Sequence, residues 1–167
     1  FTGCLAPFGY RKDPEDKNHL LIDEETAPIV RRLFAWALEG HGPNYIRRRL
    51  EEEKIPCPTY WNRVRGFRNV STKWEKKDPV NGRYMWDFSV IKDILMNPVY
   101  TGAIASQKKE YRFKIGTIGE KKPEDWIVVE NQHEPLVDRK TFDIVQRKLK
   151  SRQRPRQTGE ISLFAGL

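Results

Sequence analysis

Between residues 60 and 85 the chain alternates two kinds of side chain that together suit one task. Arg63, Arg65, Arg68, Lys73, Lys76, Lys77 and Arg83 are interleaved with Tyr60, Trp61, Phe67, Trp74 and Tyr84. Cations pair with phosphate oxygens and flat rings pack against sugars and bases, so the mixture fits a nucleic acid. The same residues also fit an ordered loop whose rings cover a small core while its cations face water. Trp86 and at least one other aromatic are read as core cover. A second basic group, Lys108, Lys109, Arg112 and Lys114, falls on a predicted hairpin, where it suits either a duplex backbone or an idle surface.

Other chemistry is poorly served. His19, His41 and His133 are far apart, no HExxH occurs, and His133-Glu-Pro135 reads as a loop turn. The stretch Gly116-Thr-Ile-Gly119 lacks the Lys-Ser/Thr pair of a phosphate-binding loop. Ser71, Ser89, Ser106, Ser151 and Ser162 have no nucleophile signature such as GxSxG. Two cysteines, Cys4 and Cys57, make neither a zinc site nor a disulfide scaffold by themselves. The expectation is a segment that performs no chemistry alone and carries no catalytic residue, metal or cofactor.

The elements that would hold these residues come from a chain of 167 residues, enough for one domain with an appendage. Charge totals 31 Lys plus Arg against 23 Asp plus Glu, a net +8. The excess is local: residues 61–122 hold 14 basic and 6 acidic residues, whereas residues 1–60 hold 9 and 10. A localised excess is what a face that displaces counterions from a polyanion needs, although a solubilising face has the same signature. No run of about 20 apolar residues is present to span a membrane. A start at Phe1 with no signal pattern suggests a piece of a longer protein, in a reducing, cytoplasmic setting.

Pro7-Phe-Gly-Tyr-Arg-Lys-Asp-Pro14 reads as an extended arm, with a short strand at Leu20-Leu-Ile22. Asp23 resembles a helix N-cap, and Val30, Leu33, Phe34, Ala37 and Leu38 keep helical spacing up to Gly40. Pro28 places the start later unless it lies in the first turn. Gly42-Pro43 restarts a short helix marked by Tyr45, Ile46 and Leu50. Residues 56–86 show no sustained period and read as a long basic excursion. Asp87 caps a third helix with an apolar stripe of Ile91, Ile94 and Leu95 and an outer face of Ser89, Lys92, Asp93 and Met96. Strands are expected over residues 100–105, 111–115 and 126–130, the last buried on both faces, in one small antiparallel sheet. A fourth helix starts at Asp138, with Phe142, Val145 and Leu149 inward. The fold class is α+β: a helix-turn-helix-like helical core with a long basic insertion and a small antiparallel sheet.

Several of these stretches, in order, resemble one family. The arm motif above, Ile22-Asp-Glu-Glu25 with Val30-Arg-Arg-Leu-Phe34, Asn44-Tyr-Ile-Arg-Arg-Arg-Leu50 running into Ile55-Pro56, and Ile94-Leu-Met-Asn-Pro-Val-Tyr-Thr-Gly102 are similar to the "recombinase" domain of large serine recombinases. Trp126-Ile-Val-Val129 and His133-Glu-Pro135 look like its closing part. The resemblance implies a double-stranded DNA-binding domain at a recombination half-site, between an N-terminal serine catalytic domain and a zinc-ribbon domain, in a phage or bacterial mobile-element protein that dimerises and tetramerises on DNA. Zinc belongs to the absent downstream domain, and residues 1–151 form the DNA-binding domain, with 152–167 a basic linker. The resemblance further implies that Ser89, Lys92 and Met96 on the third helix enter the major groove and that residues 1–9 approach the minor groove. Arg63, Arg65, Arg68, Lys73 and the hairpin cations then hold phosphates. A transcriptional regulator with an elaborated helix-turn-helix and a basic protein-interaction module are the competing functional classes.

Overall fold

The computed structural model describes residues 5–67, 78, 80–112, 117–122 and 125–151, the side chains at 109, 111, 112, 117, 118 and 120 excepted. Five helices are present among the described residues: α1 (Ala27–Leu38), α2 (Pro43–Glu52), α3 (Pro58–Val64), α4 (Phe88–Met96) and α5 (Arg139–Ser151). Among the same residues, six short strands form three separate antiparallel ribbons. They are β1 (Tyr10–Lys12) with β2 (Leu20–Ile22), β3 (Ile104–Ser106) with β6 (Ile127–Val129), and β4 (Lys109–Arg112) with β5 (Thr117–Glu120). The architecture is α+β.

Helix α1 is the hub, touching α2, α4 and α5. Its stripe Val30, Leu33, Phe34 and Ala37 is buried, and each large apolar side chain so buried contributes about 1.5–3 kcal/mol. Leu38, expected on that stripe, is instead 37% exposed at the rim. Asp23 does not cap the helix: the cap position falls to Thr26, and Pro28 occupies the first turn, where no intrahelical partner is needed. The Asp23 carboxylate is buried and accepts the Thr26 hydroxyl, while its carbonyl accepts from Thr26 N at 3.1 Å and Ala27 N at 2.8 Å. A local cap signal was thus outcompeted by the proline, which moves the helical start to a position it can occupy.

Packing around Tyr100 closes the core. Its ring lies edge-on to Phe34 at 5.8 Å and stacks on Tyr10 at 6.0 Å, and its hydroxyl donates to Phe8 O at 2.9 Å. Tyr10 donates to Glu134 O at 2.9 Å and accepts from Leu136 N at 3.1 Å, and burial pushes its pKa up to about 12. The segment read as an extended arm is therefore built into the core from Phe8 onward. Gly9 sits at φ +93, and a Cβ there would meet Val30 Cγ2 at 2.8 Å. Helix α5 starts on Asp138, whose carboxylate accepts Thr141 N at 2.9 Å and Thr141 Oγ1 at 2.6 Å, and buries Phe142 and Val145. From α5, Gln146 donates to Leu95 O and Lys148 to Leu38 O, both at 2.6 Å, satisfying carbonyls at the ends of α4 and α1.

Four expectations are corrected by these elements. The 56–86 excursion opens with a helix, α3, which begins at Pro58 and exposes or half-exposes every residue, so it left no buried stripe to detect. The expected single sheet is three ribbons, and β5 occupies the stretch dismissed as a failed phosphate loop. The strand expected over 100–105 is reduced to β3, because Tyr100 lies in a 3-10 turn and Gly102 follows at φ +81. β6 is not buried on both faces: Ile127, Val128 and Val129 are 49%, 42% and 49% exposed. Its apolar run reflects preference for extended backbone, and a three-residue ribbon offers no second layer to bury it.

Candidate nucleic-acid interface

The sequence separates α2 from α4 by more than thirty residues, yet the two helices pack directly on each other. Two hydrogen bonds at the base of the excursion make this possible: Cys57 N donates to Arg83 O at 2.8 Å, and Trp86 Nε1 to Ile55 O at 2.9 Å. Trp86 is buried, with the Phe8 ring edge-on at 5.8 Å. It acts as core cover, as expected. The excursion is thereby pinched at its neck, and α4 follows α2 in space as though the intervening chain were absent.

Asp87 reverses the chain out of the core and into α4. Its Oδ1 accepts from Ser89 N at 2.9 Å and from Ser89 Oγ at 2.8 Å. These bonds, with a smaller effect of the nearby Arg47 cation, hold its carboxyl below the usual range. Ile91, Ile94 and Leu95 face inward. Outward stand Phe88, Ser89 and Asp93, exposed, with Lys92 and Met96 half-buried beside them. A cleft of about 330 Å3 opens between this first turn and the start of α2, lined by Asn44, Arg47, Met85, Trp86, Asp87 and Phe88. A helix turn with exposed polar and apolar side chains, beside a cation-bearing cleft, has the size and chemistry to enter a groove about 12 Å wide.

The other predicted positions are dispersed. Arg63 is exposed on α3. Arg65 is exposed but paired within the fold: its Nη2 lies 2.7 Å from Asp23 Oδ2 and 3.0 Å from Glu25 Oε2, and its guanidinium sits 5.4 Å over the Trp61 ring. Burial works against its charge, and the hydrogen bonds it donates to the two carboxylates outweigh that and raise its pKa. Arg83 lies 5.1 Å over the Tyr84 ring, and its Nε is buried with no acceptor among the described residues. Lys108 is half-buried, 4.9 Å over the Trp126 ring, and donates to Asn97 Oδ1 at 3.2 Å. Burial lowers its pKa, with Asp93 acting weakly in the opposite sense. Lys109 and Arg112 belong to β4. Arg68, Lys73, Lys76, Lys77 and Lys114 lie outside the described residues, as do residues 1–4 of the arm and the 152–167 linker.

Asn44, Arg47 and Phe88 line the cleft but are not among the residues expected from the sequence to contact DNA. Arg47 stands in the run Arg47-Arg48-Arg49, but each of these pairs with a glutamate four residues on, at 3.5, 3.6 and 3.2 Å. The following Glu51-Glu-Glu53 cancelled the run in any count of net charge, so only the tertiary cleft distinguishes Arg47. Cys57 is buried, and burial raises its thiol pKa, which makes it an inert core group. His133 is also a core group: its ring meets Tyr10 edge-on at 4.8 Å, and Nε2 donates to Val99 O at 2.7 Å. Among the described residues no cluster of three His, Cys, Asp or Glu could hold a metal ion, and no helix is long and apolar enough to cross a membrane.

Comparison with known proteins adds three findings. A family model described as Recombinase matches residues 24–152. The uncharacterized protein YefB of Bacillus subtilis (strain 168) is 37% identical over 86 residues, which is 50% of this chain and 28% of that protein. This chain thus spans well under two thirds of that relative's length. Among solved structures, the crystal structure of a LSR-DNA complex aligns with a TM-score of 0.49 at 16% identity, covering 90% of this chain and 33% of that one.

Proposed function

We propose that this chain, which belongs to the Recombinase family, binds double-stranded DNA sequence-specifically at recombination half-sites. In this reading residues 1–151 are the non-catalytic central domain of a serine site-specific recombinase that integrates or excises a mobile element. Residues 152–167 are then the linker toward a zinc-ribbon domain. The observation that carries the reading is the direct packing of α2 on α4, with the first turn of α4 exposed beside Arg47, within residues 24–152 that the family model matches.

The physical division of labour follows. Ser89, Lys92 and Met96 sit on the α4 face that would lie along base edges, where sequence is read. Arg63, with the cations of the excursion and hairpin, would supply phosphate contacts that fix register without reading sequence. Strand exchange needs a nucleophile, and that chemistry is assigned to a separate catalytic domain. Full-length chains would self-associate on DNA as dimers and tetramers.

A direct test is competition. The chain is bound to a labelled duplex from an end of its parent element and challenged with unlabelled copies of the same duplex, a scrambled duplex and heparin. Selective displacement by the cognate duplex is expected. Equal displacement by heparin and both duplexes would contradict specific recognition and favour a basic protein-interaction module.

A further inference from the structure

Resting on the reading that this chain binds duplex DNA through α4, we infer that Phe88 is a specificity-determining residue that reads the C5-methyl group of a thymine in the major groove. Phe88 is the first residue of α4, and its side chain is 43% exposed although the residues on either side of the α4 entrance are well engaged. Trp86, two residues earlier, is 3% exposed in the core. Ser89, one residue later, has its hydroxyl committed to Asp87 Oδ1. Phe88 and Ser89 are the exposed residues of the first turn, and with the Ser89 hydroxyl so held the phenyl ring is the larger open surface there.

Its surroundings select the partner. The ring forms one rim of the cleft that Asn44 and Arg47 line from α2. Asp87 precedes it as the exposed N-cap of α4. A carboxylate repels phosphate oxygens but accepts hydrogen bonds from amino groups on base edges, so the Asp87 end of α4 suits bases, with Arg47 as the cation of the cleft beside it. First-turn residues of a helix lying in the major groove are the ones that reach base edges. The apolar group that those edges present is the thymine methyl, which a phenylalanine side chain contacts. An exposed phenyl ring contributes little to the fold and would gain contact only when such a group covers it.

The experiment uses the intact 167-residue chain and a random pool of duplexes. Sequences are enriched by binding, and in the selected duplex each thymine is replaced in turn by deoxyuridine, which removes the C5-methyl alone. At one position the replacement should weaken binding about fourfold, the worth of one buried methyl group. Phe88→Ala should bind the thymine and uracil duplexes equally, with the salt dependence of binding unchanged. A selected sequence in which no uracil replacement matters, or in which Phe88→Ala keeps the discrimination, would overturn the assignment while leaving duplex recognition standing. Enrichment of no sequence would overturn the duplex-reading function, and the role of Phe88 with it.

Discussion

Replacing Arg65 by alanine separates two roles that a single cation of the excursion could fill. As a phosphate contact, Arg65 would contribute to affinity and to the salt dependence of binding, and little to folding. The structure places it elsewhere, against Asp23, whose side chain is 7% exposed, with Glu25 as a second, exposed acceptor. Removing one partner of a fully buried pair costs about 3–5 kcal/mol, and an exposed pair is worth about 0.2–1 kcal/mol. The Arg65 side chain is 29% exposed, and Asp23 keeps the Thr26 hydroxyl after the change, so an intermediate loss of about 2 kcal/mol is expected. For a chain of this size that is a fall in Tm of about 4–8 °C. Urea and thermal unfolding measure it, and Asp23→Asn in the Arg65→Ala background should recover part of the loss, because no buried charge is then left unpaired. The slope of log affinity against log salt should stay unchanged in Arg65→Ala. A Tm shift below about 1 °C, together with a slope flattened by about one unit, would refute the reasoning and return Arg65 to the DNA backbone.

Substitutions at Gly102 and His133 test the core that holds α4 in place, with exposed Gly66 as the comparison. Gly102→Ala should destabilise by about 2–4 kcal/mol, since φ is +81 and the new Cβ would meet His133 O at 2.7 Å; Gly66→Ala, at φ +82 with nothing within 4 Å, should cost only about 1–2 kcal/mol in the same denaturation series. Burial lowers the pKa of His133, so the folded state binds its proton less readily than the unfolded state, whose value is about 6.5. Its contribution to stability is full above that value and is lost as pH falls through the folded pKa, by at most about 1.4 kcal/mol per pH unit. Unfolding curves from pH 7.5 to 5 should show this decline, and His133→Gln should flatten it.

How much of this was legible in the sequence depended on whether the signal was local. Helices α4 and α5 were, because Asp87 and Asp138 are side-chain caps followed at once by inward stripes. Asp23 carried the same cap signal, but Pro28 moved the helix start and left the carboxylate to meet Arg65, forty-two residues away. α3 was missed because a helix with no buried residue shows no period. The place of β6 is legible to within one residue at each end and its burial is not, since a valine-isoleucine run marks extended backbone whether or not a second layer covers it. In the candidate interface, the outer face of α4 was legible from spacing. The cleft beside it was not, because it exists only once Cys57 and Arg83 close the neck of the excursion and bring Arg47 to the first turn of α4.

Recognition of a particular duplex is the property on which the proposed function turns. A salt-dependent binding titration on duplexes from the ends of the parent element, against scrambled duplexes of equal length, tests it most directly. A preference of about a thousandfold or more that persists as salt rises is expected. Equal affinities that fall steeply and in parallel with salt would contradict it, leaving electrostatic grip alone and moving specificity to another part of the full-length protein.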